Sequence, residues 1–403
     1  MPPKKALLTL LLVGPIAGAL FLPPASAVQS RVDGSGSATS TDSFADSVAI
    51  SGSAIAVGDS DHYGTGDAYV FTQRGTRWEF GGRVAGRRGF GSTVAVSGSN
   101  LAIGTTYGRA YVYVSDGEGW RRTADLKSPS GNSSYFGVGV ALSGATLMAT
   151  SVSNDSNAGR VFVFTDRATG WKRTAELAGK GVGAGSLFGT QVMSSGTGLV
   201  GTTAQGQVFV FTDGPKGWGQ PIELVGPGTD QSGGAGAVAI SANTIVIGDP
   251  GYDKEKGTAY VYTNTGSRWR ESAQLAGLNS KTGDRFGYSV GISGDNVVVG
   301  AEYAEGYRGA AYVFTGSAGK WKQVAELDPS GTIPNSNFGS AVAISGTTIV
   351  VGTNGDTGCA ELRVNGGPSQ AVDCAPSASW GAYVYAETAA GWHEVTDLHP
   401  PGK

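Results

Sequence analysis

The chain has 403 residues, among them 67 Gly and 16 Pro, with 15 % charged and 40 % hydrophobic residues and a formal net charge of −3. Gly at about twice its usual share, few charges and an ample apolar fraction exclude a long-helix protein and a disordered chain, and point to an all-β protein with many tight turns and a large core. The acidic balance lacks the basic footprint that phosphate backbones require, so nucleic acid is not an expected partner.

At the N-terminus, Lys4 and Lys5 precede an apolar run from Ala6 to Leu22, broken at Gly14-Pro15 and followed by Ala25-Ser26-Ala27. That is the pattern of a secretory signal peptide over residues 1–27, and the interrupted run with its small-residue cleavage site argues against an anchor. Loss of Lys4 and Lys5 moves the net charge from −3 to −5. The mature protein is expected to be secreted and extracellular, with no membrane span. Residues 28–43, rich in Ser, Thr and Gly, read as a disordered polar leader.

From residue 44 to the end one four-part pattern recurs. It opens with Phe, in most copies followed by Gly, and an alternating run that closes on Ser-Gly, as in Phe90 to Gly98, Phe136 to Gly144 and Phe286 to Gly294. A β-branched run ending in Gly follows, such as Ile55 to Gly58 or Val297 to Gly300, and then a variable polar loop. The third part reads Ala or Val, aromatic, Val, aromatic, as in Ala68 to Phe71 and Ala311 to Phe314. The fourth begins at or near Trp78, Trp120, Trp171, Trp218, Trp269, Trp321 or Trp392. The copies start at 44, 90, 136, 188, 234, 286 and 338, with Gly234-Ala235 standing where Phe-Gly is expected.

Short alternating segments bounded by Gly, Asn or Asp turns carry the strand signal, so each copy predicts four strands. Seven units of four strands predict a seven-bladed β-propeller over 44–403, because a lone four-stranded sheet cannot bury both faces whereas radial repetition can. The final segment, 391–398, supplies a complete fourth strand to the last copy.

Phe-Gly, a hairpin, Val-Val-Gly-Ala at 298–301 or Ile-Gly-Asp-Pro at 247–250, and then an Ala-Tyr-Val-Phe segment together resemble the FG-GAP repeat of integrin α-subunit propellers and their secreted bacterial relatives. The resemblance implies the propeller fold and protein ligands. Calcium-binding members carry D-x-D-x-D-G-x-x-D between the first and second strands, where several oxygens must converge from one turn. Here those hairpins turn through Ser51-Gly52-Ser53 or Ser293-Gly294-Asp295-Asn296, so no calcium or other cofactor is expected at them. Asp59, Asp61 and Asp67 form a weaker candidate metal set after the second strand.

Cys359 and Cys374 are the two cysteines, fifteen positions apart. In an oxidising exterior they are expected to pair as a disulfide that clips the one long insertion, by chain entropy for about 3 kcal/mol. The Trp at the start of each fourth strand repeats once per copy, which marks packing, whereas Trp380 lies outside the repeat and is a ligand candidate.

Loops joining strands two and three, and those joining strand four to the next copy, emerge on one face of a propeller. The first set carries Tyr63, Tyr107, Tyr252, Tyr303 and Tyr307 among Asp59, Asp249, Asp253, Glu302 and Glu305, and the second carries Arg83, Arg87, Arg88, Tyr135 and Arg285. Tyrosine among Gly and Asp on loops is the composition of recognition surfaces. Catalytic signals are thin: His62, His393 and His399 share no metal spacing, and no nucleophile elbow, zincin helix or P-loop occurs. The sequence therefore predicts a monomeric, non-enzymatic extracellular binding or adhesion module that meets a protein with one face. The alternatives are a carbohydrate-binding lectin and, behind it, a polysaccharide-degrading enzyme.

Overall fold

The computed structural model describes residues 44–398 apart from 61–64, 118, 130–134, 197, 205, 225–235, 267, 318, 329–335 and 355–381. The expected signal peptide and leader, Asp61, Tyr63, the cysteine pair and Trp380 lie outside the described residues. Seven antiparallel sheets follow one another along the chain, each paired in simple up-and-down order. Blade 1 is Phe44–Ser51, Ala54–Asp59, Asp67–Arg74 and Arg77–Ala85, and blade 7 is Ala341–Ser345, Thr348–Gly352, Ala382–Thr388 and Gly391–Leu398. The first strands of successive blades touch around a closed circle, with Phe44–Ser51 meeting Ala341–Ser345. Every blade is made of contiguous chain.

Three blades depart from the expected pattern. In blade 4 the fourth strand is split into Gly217–Trp218 and Ile222–Leu224, because Pro221 has no N–H to give the ladder. The first strands of blades 4, 5 and 7 begin late, at Val192, Val238 and Ala341; in blades 4 and 7 the chain at Phe188-Gly189 and Phe338-Gly339 pairs with its neighbours outside the regular ladder.

The repeated residues explain the assembly. Phe44, Phe90, Phe136, Phe188, Phe286 and Phe338 are buried, and each meets an aromatic of the third strand of its own blade with ring centroids 5.0 to 6.5 Å apart. Such tilted and edge-on pairs add to area burial and fill the wedge where blades diverge. The fourth-strand tryptophans pack as expected: Trp78 and Trp171 are buried, and Trp120 lies against Gly82 of the preceding blade. Outer strands such as Trp120–Lys127 and Lys320–Leu327 expose charged side chains, which discourages edge-to-edge association.

Two recurrent contacts join the blades. In five blades a Gly near the end of the second strand lies close to the next blade, so that a Cβ on Gly104 or Gly300 would stand 2.0 Å from the carbonyl oxygen of Gly137 or Gly339, whereas blade 3 has Thr150 there and Gly201 of blade 4 packs within its own blade. At the seam between blades 7 and 1 the same approach is looser, because Ala45, with φ of 70°, replaces the usual Gly and a Cβ on Gly352 would stand 2.5 Å from its oxygen.

The second contact is a ring of hydroxyl acceptors. The Ser that closes each first strand accepts a hydrogen bond from the hairpin N–H of the next blade. Gly98 donates to Ser51, Gly144 to Ser97, Gly196 to Ser143, Ala242 to Ser195, Gly294 to Ser241, Gly346 to Ser293, and Gly52 to Ser345, at 2.9 to 3.3 Å. The circuit is complete, and its last bond closes the seam.

Replacing Ser345 or Ser97 by Ala is expected to lower stability in urea unfolding by about 1 kcal/mol each, with the seam costing as much as the interior joint. Gly300→Ala is expected to cost about 3 kcal/mol, because the added methyl group meets a carbonyl with no room to move. A Ser345→Ala protein of unchanged stability would show that the seam does not depend on this bond.

Candidate functional site

The two loop sets do share a face, and the backbone shows how they are joined. In blades 3, 5 and 6 the loop between strands two and three makes a single left-handed turn, at Asn154–Asn157, Tyr252–Glu255 and Ala304–Tyr307. Asp253, Lys254 and Glu255 have φ of 46°, 60° and 63°, and the other two turns are alike. Side chains cost about 1 to 2 kcal/mol per residue in this region, so the turn needs outside support. It comes from the next blade: Arg285 N–H donates to the Glu255 carbonyl at 2.8 Å, Leu187 to Asn157 at 2.8 Å and Asn337 to Tyr307 at 3.0 Å. Each loop is thus fixed on the segment that leads into the following Phe.

The densest cluster sits where blades 5 and 6 meet. Arg285 holds Glu255 at 2.9 Å through one guanidinium nitrogen and Glu302 at 3.4 Å through another. Its guanidinium carbon lies 4.3 Å from the centre of the Tyr303 ring, and Tyr303 contacts Tyr307 with centroids 4.8 Å apart. Glu302 is buried, while the Tyr307 side chain is 53 % exposed at the end of the stack. Arg308 pairs with Glu305 at 2.9 Å beside it. A cation balanced by two carboxylates and stacked under an aromatic ring makes a rigid pedestal for Tyr307. Tyr252, also exposed, belongs to the turn that docks on Arg285.

Across the ring, Tyr107 is exposed with the Arg88 guanidinium 5.2 Å from its ring centre, and Tyr135 is exposed in the loop before Phe136. Asp59 and Asp67 are direct cross-strand partners and both buried. Arg83 donates to one Asp67 oxygen at 2.6 Å, and Tyr69 donates to the same oxygen at 3.5 Å. A guanidinium thus supplies positive charge at the very place proposed for a cation. Among the described residues no three His, Cys, Asp or Glu gather in a metal-binding group, and Asp61 is not among them.

Of the candidates read from sequence, Tyr303 and Tyr307 come together and Tyr252 adjoins them, whereas Tyr107 stands at a separate junction. Arg285 was visible as a loop cation. Glu302 was named among the loop acids, but Glu255 was not, nor was the pairing of either with Arg285, since 30 residues separate Glu255 from Arg285 and only the repeat phase, which puts each residue before Phe against the preceding blade's loop, could have paired them.

A family model described as FG-GAP repeat matches residues 269–314 and 321–372. Each match starts at a fourth strand and runs into the next blade. No curated protein matches the chain. Among solved structures, one titled Crystal Structure of Mitotic Checkpoint Complex is 12 % identical, with 88 % of this chain and 97 % of that one covered at a TM-score of 0.52. The crystal structure of Saccharomyces cerevisiae Sqt1 is 13 % identical, with 82 % and 97 % covered at 0.44. At such identity the likeness to the first is one of fold alone.

Arg285→Ala is expected to cost about 2 kcal/mol, since Glu302 stays buried without its guanidinium, and Arg285→Lys should restore only part because an ammonium cannot fork between two carboxylates. Alkaline behaviour follows from the buried phenols. Burial, followed by the Asp67 and Asp59 carboxylates, pushes Tyr69 up to about 12, and burial with Asp249 does the same for Tyr260. In the unfolded chain these phenols ionise near pH ~10, so the stability they contribute is complete below that value and is lost as pH rises towards 12. Urea unfolding at pH 9, 10 and 11 should show this decline, and Tyr69→Phe should make it shallower.

Proposed function

The chain is an FG-GAP repeat propeller, and we propose that it is a secreted, non-enzymatic binding module that contacts an extracellular protein with the face bearing its strand two-to-three and strand four-to-one loops. One observation carries this reading. Among the described residues eight large hydrophobic side chains are exposed, and four of them are the tyrosines Tyr107, Tyr135, Tyr252 and Tyr307 in these loops. Tyrosine supplies wide contact area and a hydroxyl at little rotamer cost, and with arginine it dominates the energetics of protein contacts. Because the loops are already held by inter-blade hydrogen bonds, a partner has little chain entropy to remove on docking. The signal-like N-terminus supports an extracellular setting, and the balanced charges of the Arg285 cluster support a positioning role for it over acid–base chemistry.

The test is capture from a cell-surface extract on immobilised protein beginning at residue 28, followed by affinity measurement with the purified partner. Tyr307→Ala and Tyr252→Ala are expected to weaken that affinity at least tenfold with unchanged thermal unfolding. Unaltered affinity in both variants, or binding only to glycans on an array, would overturn the protein-contact reading, and the second result would favour a lectin.

A further inference from the structure

Charge is unevenly spread around the ring. Residues 86–187, which lead into and form blades 2 and 3, carry 11 basic and 6 acidic side chains, a net of +5, so the remainder of the chain carries −8 of the total of −3. The excess gathers on the outer rim. The two residues after the fourth-strand Trp are Arg121-Arg122 in blade 2 and Lys172-Arg173 in blade 3, and in no other copy are both basic, Arg270 for instance being followed by Glu271 and Lys322 by Gln323. All four are exposed, and their strands, Trp120–Lys127 and Gly170–Leu177, touch one another. The register makes the positions equivalent: Arg121 and Lys172 stand across from Val114 and Thr165, and Arg122 and Arg173 across from Tyr113 and Phe164. Ring support recurs as well, with the Arg122 guanidinium 5.7 Å from the centre of Tyr111 and that of Arg173 5.9 Å from the centre of Phe162. The carboxylates of these strands are already engaged, Asp125 by Arg109 at 2.6 Å and Glu176 by Arg173 at 3.2 Å and Arg160 at 3.6 Å. Arg121, Arg122 and Lys172 make no ion pair with a described residue, and Asp166 at the neighbouring hairpin pairs with none of them.

We propose that this rim is a second contact surface, one that holds a linear polyuronate, a polysaccharide with a carboxylate on each sugar. The four cations stand near the strand three-to-four hairpins, at the end of the blades opposite to the tyrosine-bearing loops, so the inference goes beyond the protein-contact reading and does not depend on it. Equivalent cations on touching blades present positive charge at a regular interval, which suits a ligand whose own charge repeats, and several weak contacts along one polymer add to a firm one. A guanidinium takes a carboxylate through two parallel N–H bonds, and a ring beneath it limits the freedom lost on binding. A protein partner fits less well. Protein contacts rest on aromatic and other apolar anchors, and among the described residues neither fourth strand exposes a large hydrophobic side chain. The local +5 draws a polyanion to this side, while the −8 of the remainder turns it away from the other blades.

The probe is immobilised polygalacturonate, with polyglutamate of matched carboxylate density as the second surface and the full chain in solution. Polygalacturonate should retain the protein at low salt and release it as salt rises, and free trigalacturonate should compete far less per carboxylate than the free polymer. The variant carrying Arg121→Gln and Lys172→Gln should bind more weakly by roughly fivefold or more, with unchanged thermal unfolding. The variant carrying Lys320→Gln and Lys322→Gln, which removes the same charge from the outer strand of blade 6, should bind as the parent does. Equal retention of the first variant, an equal loss in the second, or retention on polyglutamate alone overturns the proposal. Tyr307→Ala should leave polymer binding unchanged, and its loss there would move the site to the loop face and overturn the rim as well. The two surfaces are thus read by different substitutions, and failure of one leaves the other standing.

Discussion

A serine hydroxyl accepting the hairpin N–H of the next blade, repeated seven times, is the constraint on which the molecule depends. It acts at the strand one-to-two hairpins and gives the hairpin N–H of each blade a partner on its neighbour. At the opposite end of the strands, glycines such as Gly104 and Gly300 complement it, since only a residue without a side chain lets one blade's backbone lie on another's carbonyl. The serines thus act at the hairpin end, and the second-strand glycines at the opposite, loop-bearing end of the blades. At that loop-bearing end the joints are backbone to backbone, and they include the isolated parallel bridges Gly257 to Phe286 and Gly309 to Phe338. The phenylalanines stand at this same end, packed on their third-strand partners.

That division of labour frees the loops. Because the blades are already joined by backbone groups that every copy shares, side chains in the loops are not needed for assembly and can differ from blade to blade. In blade 3 Asp155 of the left-handed turn pairs with Arg160 at the start of the third strand, whereas blade 6 carries Tyr307 on its Arg285 pedestal. The same backbone device thus presents a closed ion pair at one place and an exposed ring at another. A repeat that fixes its frame in this way offers seven positions for recognition and spends them unequally.

The frame was legible in the sequence because it repeats. Period-two alternation, the Phe positions and the Trp positions gave seven units of four strands, and the strands found begin within a few residues of those signals. The departures come from single residues that override the pattern, such as Pro221 in blade 4 and Ala45 at the seam. The latch itself was present as a recurrent Ser-Gly but read as a turn, since a turn and an inter-blade acceptor call for the same residues. The site was half legible. Loop composition marked the tyrosines, but the joining of Glu255, Arg285 and Glu302 depends on which loop meets which, and that is a property of the assembled ring.

Contiguous blades have a consequence for how the chain reaches its final state. Each joint but one links residues a single repeat apart, so the molecule can grow as a linear array in which every new unit gains its neighbour's contacts at small entropic cost. The exception is the bond from Gly52 to Ser345, spanning 293 positions. Until it forms, the array is an open arc with two unsatisfied ends, and closing it fixes both termini of the folded unit at one place. The arc-to-ring step is therefore the one event in which local order becomes a global one, and it falls at the joint whose packing Ala45 has loosened.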